Sequence, residues 1–301
     1  MTQSLHTAVI GLGSMGYGMA KSLLRSGHLT HGFDVTQSKI DRFIAEGGTP
    51  GRLLDVAPNL QAVVCVVLNA AQTESVLFGK DGVAPQLSSG AVILSCATVS
   101  PDFAQEMEAR CAALNIHYLD APISGGAVKA AQGELSFMAS GSSTAFAKAR
   151  PVLDSLSKTV FELGDSAGAG SAMKATNQML AGVHIAAMAE AITFAMTQGI
   201  TPDTFLNVIS KCAGTSWMLE NRAPHIINGD YTPHSSVNIW PKDLGIVTDI
   251  ATAAGFAAPI TQTALAQFQS AASFGLGLED DAAVAKVYAH QAGLTLPGGD
   301  T

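Results

Sequence analysis

HTAVIGLGSMGYGMAKSLLRSGHLTHGFD, residues 6–34, holds the pattern on which the fold turns. HTAVIG (6–11) has the length and apolar content of a strand, and GMAKSLLRSG (18–27) has helical spacing and closes on Gly27. LTHGFD (29–34) is a second strand that ends on an acidic residue. Between the first strand and the helix lies Gly11-Leu12-Gly13-Ser14-Met15-Gly16, a GxGxxG. The chain has 30 glycines, so the bare pattern is easily met by chance. With a strand before it, a helix after it and Asp34 closing the next strand, it reads as a dinucleotide-binding turn. Gly11 permits the tight turn, Gly13 lets a pyrophosphate approach the backbone, and Gly16 lets helix and strand pack closely. The pyrophosphate then meets the positive end of the helix. Asp34 is placed to accept hydrogen bonds from the adenosine ribose, and its charge repels a 2′-phosphate. No Arg follows it before Arg42, so the expected cofactor is NAD. A turn or helix-capping aspartate is the alternative, and it leaves the cofactor open.

The same alternation continues outward. AVVCVVLN (62–69) and AVILSC (91–96) are continuous apolar runs, as for strands buried on both faces. HYLDAP (117–122), LSFMASG (135–141) and TVFELG (159–164) are further strand candidates. The expectation is a Rossmann-type doubly wound α/β sheet over 1–165. After GDSAGAG (164–170) the pattern turns helical: one long helix over about 171–199, then 202–213, 216–228, 241–255, 258–274 and 280–290. Residues 166–301 are therefore expected to form an all-helical domain for substrate and oligomerisation, joined by the long helix, with a cleft between the domains. LPGGDT (296–301) reads as a loose tail.

The net charge is −8 and no Lys/Arg cluster occurs, which argues against nucleic-acid or anionic-membrane partners. Cys65, Cys96, Cys111 and Cys212 form no CxxC or His-paired group, so neither a metal site nor a redox pair is expected. The start of the chain has no basic segment followed by an apolar one, and the most apolar stretch, Leu180–Met196, carries His184 and Glu190. It is shorter than the ~20 clean residues of a span and reads as a buried helix. The expected location is the cytoplasm. The many apolar faces of the helical half point to a homodimer or homotetramer.

Asp120-Ala-Pro-Ile-Ser-Gly-Gly126 follows a strand end, where open α/β sheets bind ligands. The Ser124 hydroxyl and the backbone N–H groups of Gly125 and Gly126 suit a carboxylate, although such a run is as often a plain loop. Lys174, Asn177 and Gln178 share a face of the long helix, at i, i+3 and i+4. A solvated helix start explains them as well as function does. In the functional reading Lys174 is the acid/base of an alcohol–carbonyl interconversion.

GLGSMG at 11–16, DAPISGG at 120–126, GAGSAMKATNQ at 168–178 and KDLG at 242–245 occur in the order found in the β-hydroxyacid dehydrogenase family, which the chain resembles over nearly its whole length. The resemblance implies that Lys174 is catalytic and that Ser124, Gly125 and Gly126 bind the substrate carboxylate. It also makes Asn177 a substrate contact, puts Gln178 beside it, and places Lys242 next to the nicotinamide. Thr98, in SCATVSP, lies near the cofactor, and Leu68 and Asn69 join the cofactor-binding set. Gln178 stands where many members have a second asparagine, and Ser95 where many have an aspartate. Segments 66–79, 177–191 and 215–247 resemble the branch that oxidises the 2-hydroxyl of a four-carbon sugar acid, so a small anionic hydroxy acid is the implied substrate. Asn69, Gln72, Gln178, His184 and Asn238 are candidate polar wall groups, and Trp217 suits either the pocket or the core. The alternatives are other small-acid members of the family and, more remotely, a non-catalytic dinucleotide sensor.

Overall fold

The computed structural model describes residues 4–298, and the chain divides after Lys174 into two compact units. The first contains, in order, β1 (His6–Ile10), α1 (Gly16–Arg25), β2 (Leu29–Phe33), α2 (Gln37–Ala45), α3 (Leu53–Val56), β3 (Ala62–Cys65) and α4 (Ala70–Phe78). Then come β4 (Val92–Ser95), α5 (Pro101–Ala112), β5 (His117–Asp120), β6 (Ile123–Ser124), α6 (Gly126–Gln132), β7 (Leu135–Ala139), α7 (Ser143–Leu156) and β8 (Ser157–Glu162). Strands β2-β1-β3-β4-β5 form a parallel sheet in that order. Successive side chains point to opposite faces and both faces are covered. Val9, Val64 and Leu94 pack with Met19 and Leu23 of α1 and with Val152 and Leu153 of α7. Ala8, Val63 and Ile93 pack on the other side with Ala104 and Met107 of α5. That two-sided burial is why these strands read as unbroken apolar runs.

Two details differ from the sequence reading. The run 62–69 is a strand only to Cys65, because Asn69 is taken up as the N-cap of α4, its side chain accepting from the Gln72 N–H. Strands β6, β7 and β8 form a separate three-stranded sheet, antiparallel then parallel. An Asp120–Ser140 bridge joins it to the end of β5.

Helix α8 (Ala169–Thr197) crosses the division. The second unit continues with α9 (Pro202–Ile209), α10 (Trp217–Asn228), α11 (Ile239–Ala253), α12 (Pro259–Ser273) and α13 (Ala285–Ala292), and no strand occurs among its described residues. The helix expected over 280–290 is a 3-10 turn, Asp281–Val284, followed by α13. Ile185, Met188 and Ile192 of α8 share one core with Leu219, Ile226, Trp240, Leu244 and Phe268. A Cβ on Gly182 would meet Trp240 and Leu244 at 2.9 Å, so this glycine lets α8 and α11 close on each other. Thr201 and Ser216 cap α9 and α10 through their hydroxyls, worth about 1 kcal/mol each.

By length and composition α8 is long enough to cross a membrane. Its face is divided: Ile185, Met188 and Ile192 are buried, while Leu180 and Phe194 are 55% and 66% exposed. The stretch expected to be a buried helix is therefore only half covered within the chain. Leu296 is buried, so the tail is packed at its start, and 299–301 lie outside the described residues.

Candidate active site

The order β2-β1-β3 makes the gap between β1 and β3 a switch point, the place where open α/β sheets receive ligands. The loops after both strands meet there. Gly11 has φ +100°, and a Cβ on it would lie 2.1 Å from the Val66 carbonyl oxygen. A Cβ on Gly16 would lie 1.8 Å from the Gly11 oxygen. Gly13 has nothing within 4 Å on its side-chain face. Two glycines are thus needed for packing and the third faces open space at the start of α1, where Ser14 is also exposed. The turn fits a dinucleotide pyrophosphate, which needs bare backbone at a helix N-terminus.

Asp34 follows β2, and its carboxylate accepts from the Leu12 N–H at 2.8 Å and the Thr36 N–H at 2.9 Å. Lys39 Nζ lies 3.4 Å from both of its oxygens. Burial works to raise the pKa of this carboxyl, but the two backbone donors and the Lys39 ammonium outweigh it and hold it below the ordinary value. The Lys39 contact was missed in the sequence, where only arginines were considered beyond Asp34. Leu68 is exposed, and its N–H is held by Gln72. Asn69 and Gln72 are thus committed through their side-chain oxygens to the start of α4. Thr98 is buried after β4, and Ser95 closes that strand in register with Asp120.

At the other strand ends, Ser124 terminates β6, and Gly125 and Gly126 have φ +139° and +78°. Two consecutive residues in this region explain why the turn is Gly-Gly. Lys174 Nζ donates to the Ile123 carbonyl at 2.9 Å. The structure therefore brings Lys174 beside the Ser124–Gly126 turn, although 51 positions separate Lys174 from Ile123.

Asn177, Gln178 and Lys242 lie in the second unit, where they are chained together. Asn177 Nδ2 donates to Gln178 Oε1 at 3.0 Å, and Gln178 Nε2 donates to Asp243. Lys242 forms an ion pair with the same Asp243 carboxylate. Gln178 is 8% exposed and its amide is engaged at both ends. It orients Asn177 in this structure, and Asp243, unremarked in the sequence, is the residue that holds it. Trp217 is 61% exposed, so it is no core residue, and Asn238 is exposed too.

Known proteins carry the same architecture. Residues 6–164 match the family described as the NAD binding domain of 6-phosphogluconate dehydrogenase. Residues 168–288 match the one described as NAD-binding of NADP-dependent 3-hydroxyisobutyrate dehydrogenase. The chain is 45% identical to the L-threonate dehydrogenase of Cupriavidus necator, over 98% of this chain and 99% of that protein. It is also 45% identical to the Escherichia coli L-threonate dehydrogenase, over 97% of each. A Salmonella typhimurium crystal structure described as 3-hydroxyisobutyrate dehydrogenase superposes with TM-score 0.89 at 47% identity, over 94% of this chain and 100% of that one. Matched from the glycine turn through the last helices, the chain belongs to the β-hydroxyacid dehydrogenase family of NAD-dependent enzymes.

Proposed function

We propose that the chain oxidises the 2-hydroxyl of L-threonate to the 2-oxo acid, 2-dehydro-L-erythronate, with Lys174 as the acid/base. The observation that carries the mechanism is the 2.9 Å contact from Lys174 Nζ to the Ile123 carbonyl, one residue before the Ser124–Gly126 turn. The turn offers a hydroxyl and two backbone N–H groups for a carboxylate, and Lys174 supplies a proton acceptor beside it. Gly11, Gly13 and Gly16 would hold the pyrophosphate of NAD and Asp34 its ribose, and the nicotinamide so placed would supply the hydride acceptor for the substrate's C2. Lys174 takes the hydroxyl proton as the carbonyl forms, so it must be neutral when the substrate arrives. Asn177, with its amide set by Gln178, keeps a substrate role, and Lys242 keeps a cofactor role. The choice of L-threonate is supported by the names of the relatives at 45% identity. A cytoplasmic location is part of the same reading, and so is a homodimer or homotetramer, which the apolar side chains exposed on α8 and α12 support.

The name of the Salmonella structure favours a second reading, 3-hydroxyisobutyrate as substrate. Initial rates with NAD against C3–C5 hydroxy acids, including both threonate enantiomers and 3-hydroxyisobutyrate, decide between them. L-threonate should have the highest kcat/KM, by at least about tenfold. A preference for 3-hydroxyisobutyrate or D-threonate would refute the assignment.

A further inference from the structure

We infer that Asp120 is a positioning residue for the reaction, holding the first turn of α8 on the strand ends so that Lys174 reaches the Ser124–Gly126 turn. This rests on the assignment of Lys174 as the acid/base.

A helix start leaves its first N–H groups without partners inside the helix, and a carboxylate is the usual remedy. Helix α8 has no acidic residue in its own first turn. Asp120, the last residue of β5, supplies one from a distant part of the chain. Its Oδ2 accepts from the Gly168 N–H at 3.0 Å and the Ser171 N–H at 2.8 Å, and its Oδ1 accepts from the Ser171 hydroxyl at 2.7 Å. Ser140, the residue after β7, donates to Oδ2 at 3.3 Å and accepts from the Gly170 N–H at 2.9 Å. Asp120, Ser140 and Ser171 are all buried. The backbones touch here as well: a Cβ on Gly170 would meet the Met138 oxygen at 2.4 Å and the Asp120 oxygen at 2.8 Å.

Lys174 lies three residues beyond Ser171, just under one helical turn, so fixing Ser171 fixes where its side chain sets out. Its Nζ ends on the carbonyl of Ile123, three residues beyond Asp120. The connection is a closed ring: Asp120 to Ser171, along α8 to Lys174, and from Lys174 back to the segment that Asp120 begins. Burying a carboxylate is costly unless it is fully hydrogen-bonded, and burial pushes the Asp120 pKa up against the donors that oppose it. An apolar strand end would be a simpler route to stability. The carboxylate does what an apolar residue does not: it sets the direction and height of the helix start.

A double-mutant cycle tests this, with kcat and KM at saturating NAD and NADH affinity by titration calorimetry. Asp120→Ala should lower kcat by about 10- to 100-fold, the scale of a misplaced reacting group, with NADH affinity within about threefold. In a Lys174→Ala background the same change should cost nothing further in kcat, because there is no amine left to misplace. Asp120→Asn should stay within about threefold of wild type, since Ser171 can reverse its hydroxyl and accept from the new amide. Equal fold-losses in both backgrounds, or an Asn variant as impaired as the Ala variant, would overturn the positioning role. If Asp120→Ala does not fold, Ser171→Ala replaces it in the cycle, with a several-fold loss expected only when Lys174 is present. Wild-type kcat in Lys174→Ala alone refutes the acid/base assignment. A Lys174→Ala defect on which the Asp120 loss simply multiplies refutes the positioning alone.

Discussion

Oxidising an alcohol by hydride transfer leaves a proton on its oxygen, and a side chain must remove it as the carbonyl forms. Lys174→Ala should therefore lower kcat by roughly 10²–10⁴ while NADH affinity, set by the glycine turn and Asp34, changes little. Lys174→Arg should rescue poorly, because a guanidinium does not give up its proton. More than about a tenth of wild-type kcat in the folded Ala variant would point to another base, with His184 the first to examine. Cofactor choice should also turn on single residues. With Asp34 in place, kcat/KM with NAD should exceed that with NADP by at least about tenfold, or ~1.4 kcal/mol. Asp34→Ala should narrow the gap from both sides: NAD loses its ribose acceptor, and Lys39, released from its 3.4 Å ion pair, gains a phosphate to bind. Adding Lys39→Ala should remove the gain with NADP and leave the loss with NAD. Equal efficiencies in the wild type, measured side by side, would contradict this account of Asp34.

At the scale of elements, β1, β2 and the segments beside them carry three histidines whose neutral form folding favours. His6 and His31 place their Nε2 atoms 2.7 Å apart, so the pair shares one proton. His28 accepts from the Leu5 N–H through Nδ1 at 3.1 Å and faces Ser155 through Nε2. Burial lowers the pKa of all three; His6 adds to the effect at His31, and at His28 a backbone hydrogen bond opposes it in part. A histidine whose pKa is lower folded than unfolded contributes stability at high pH, and loses it as pH falls through 6.5, where the unfolded chain takes up protons first. The thermal midpoint should thus fall between pH 7.5 and 5, and His28→Gln with His31→Gln should flatten that slope. A wild-type midpoint that is flat across this range would show that these rings do not set acid stability.

Over the whole molecule, apolar surface remains uncovered. Leu180 and Phe194 on α8, Phe256 just before α12 and Ile260 in its first turn are each more than half exposed. Large apolar side chains left exposed on a folded chain are candidates for a protein interface. Light scattering at micromolar concentration should return at least twice the chain mass, and Phe194→Asp should lower it if α8 is part of that interface. The mass of a single chain in the wild type would refute a homo-oligomer.

Much of the fold was legible along the chain because its signals are local. A glycine turn between a strand and a helix, Asp34 at the end of the next strand, short unbroken apolar runs and apolar periods near 3.6 depend on residues a few positions apart. The GxGxxG, the parallel α/β order and the helical second half could be read for that reason. The order of motifs also placed Lys174 and Ser124–Gly126 in one chemical scheme. Their contact was not legible, because 51 positions separate Lys174 from the Ile123 carbonyl it reaches and no periodicity encodes such a distance. The same holds for Asp120, which looked like part of a substrate loop and proves to be bonded to a helix start. Gln178 looked like a pocket group, but its amide is engaged by Asn177 and Asp243. The run 62–69 stopped short as a strand because Asn69 found a helix to cap. Hydrogen-bond partners are chosen by what folding brings within about 3 Å, so a polar residue's type is written in the chain while its partner is settled by tertiary structure.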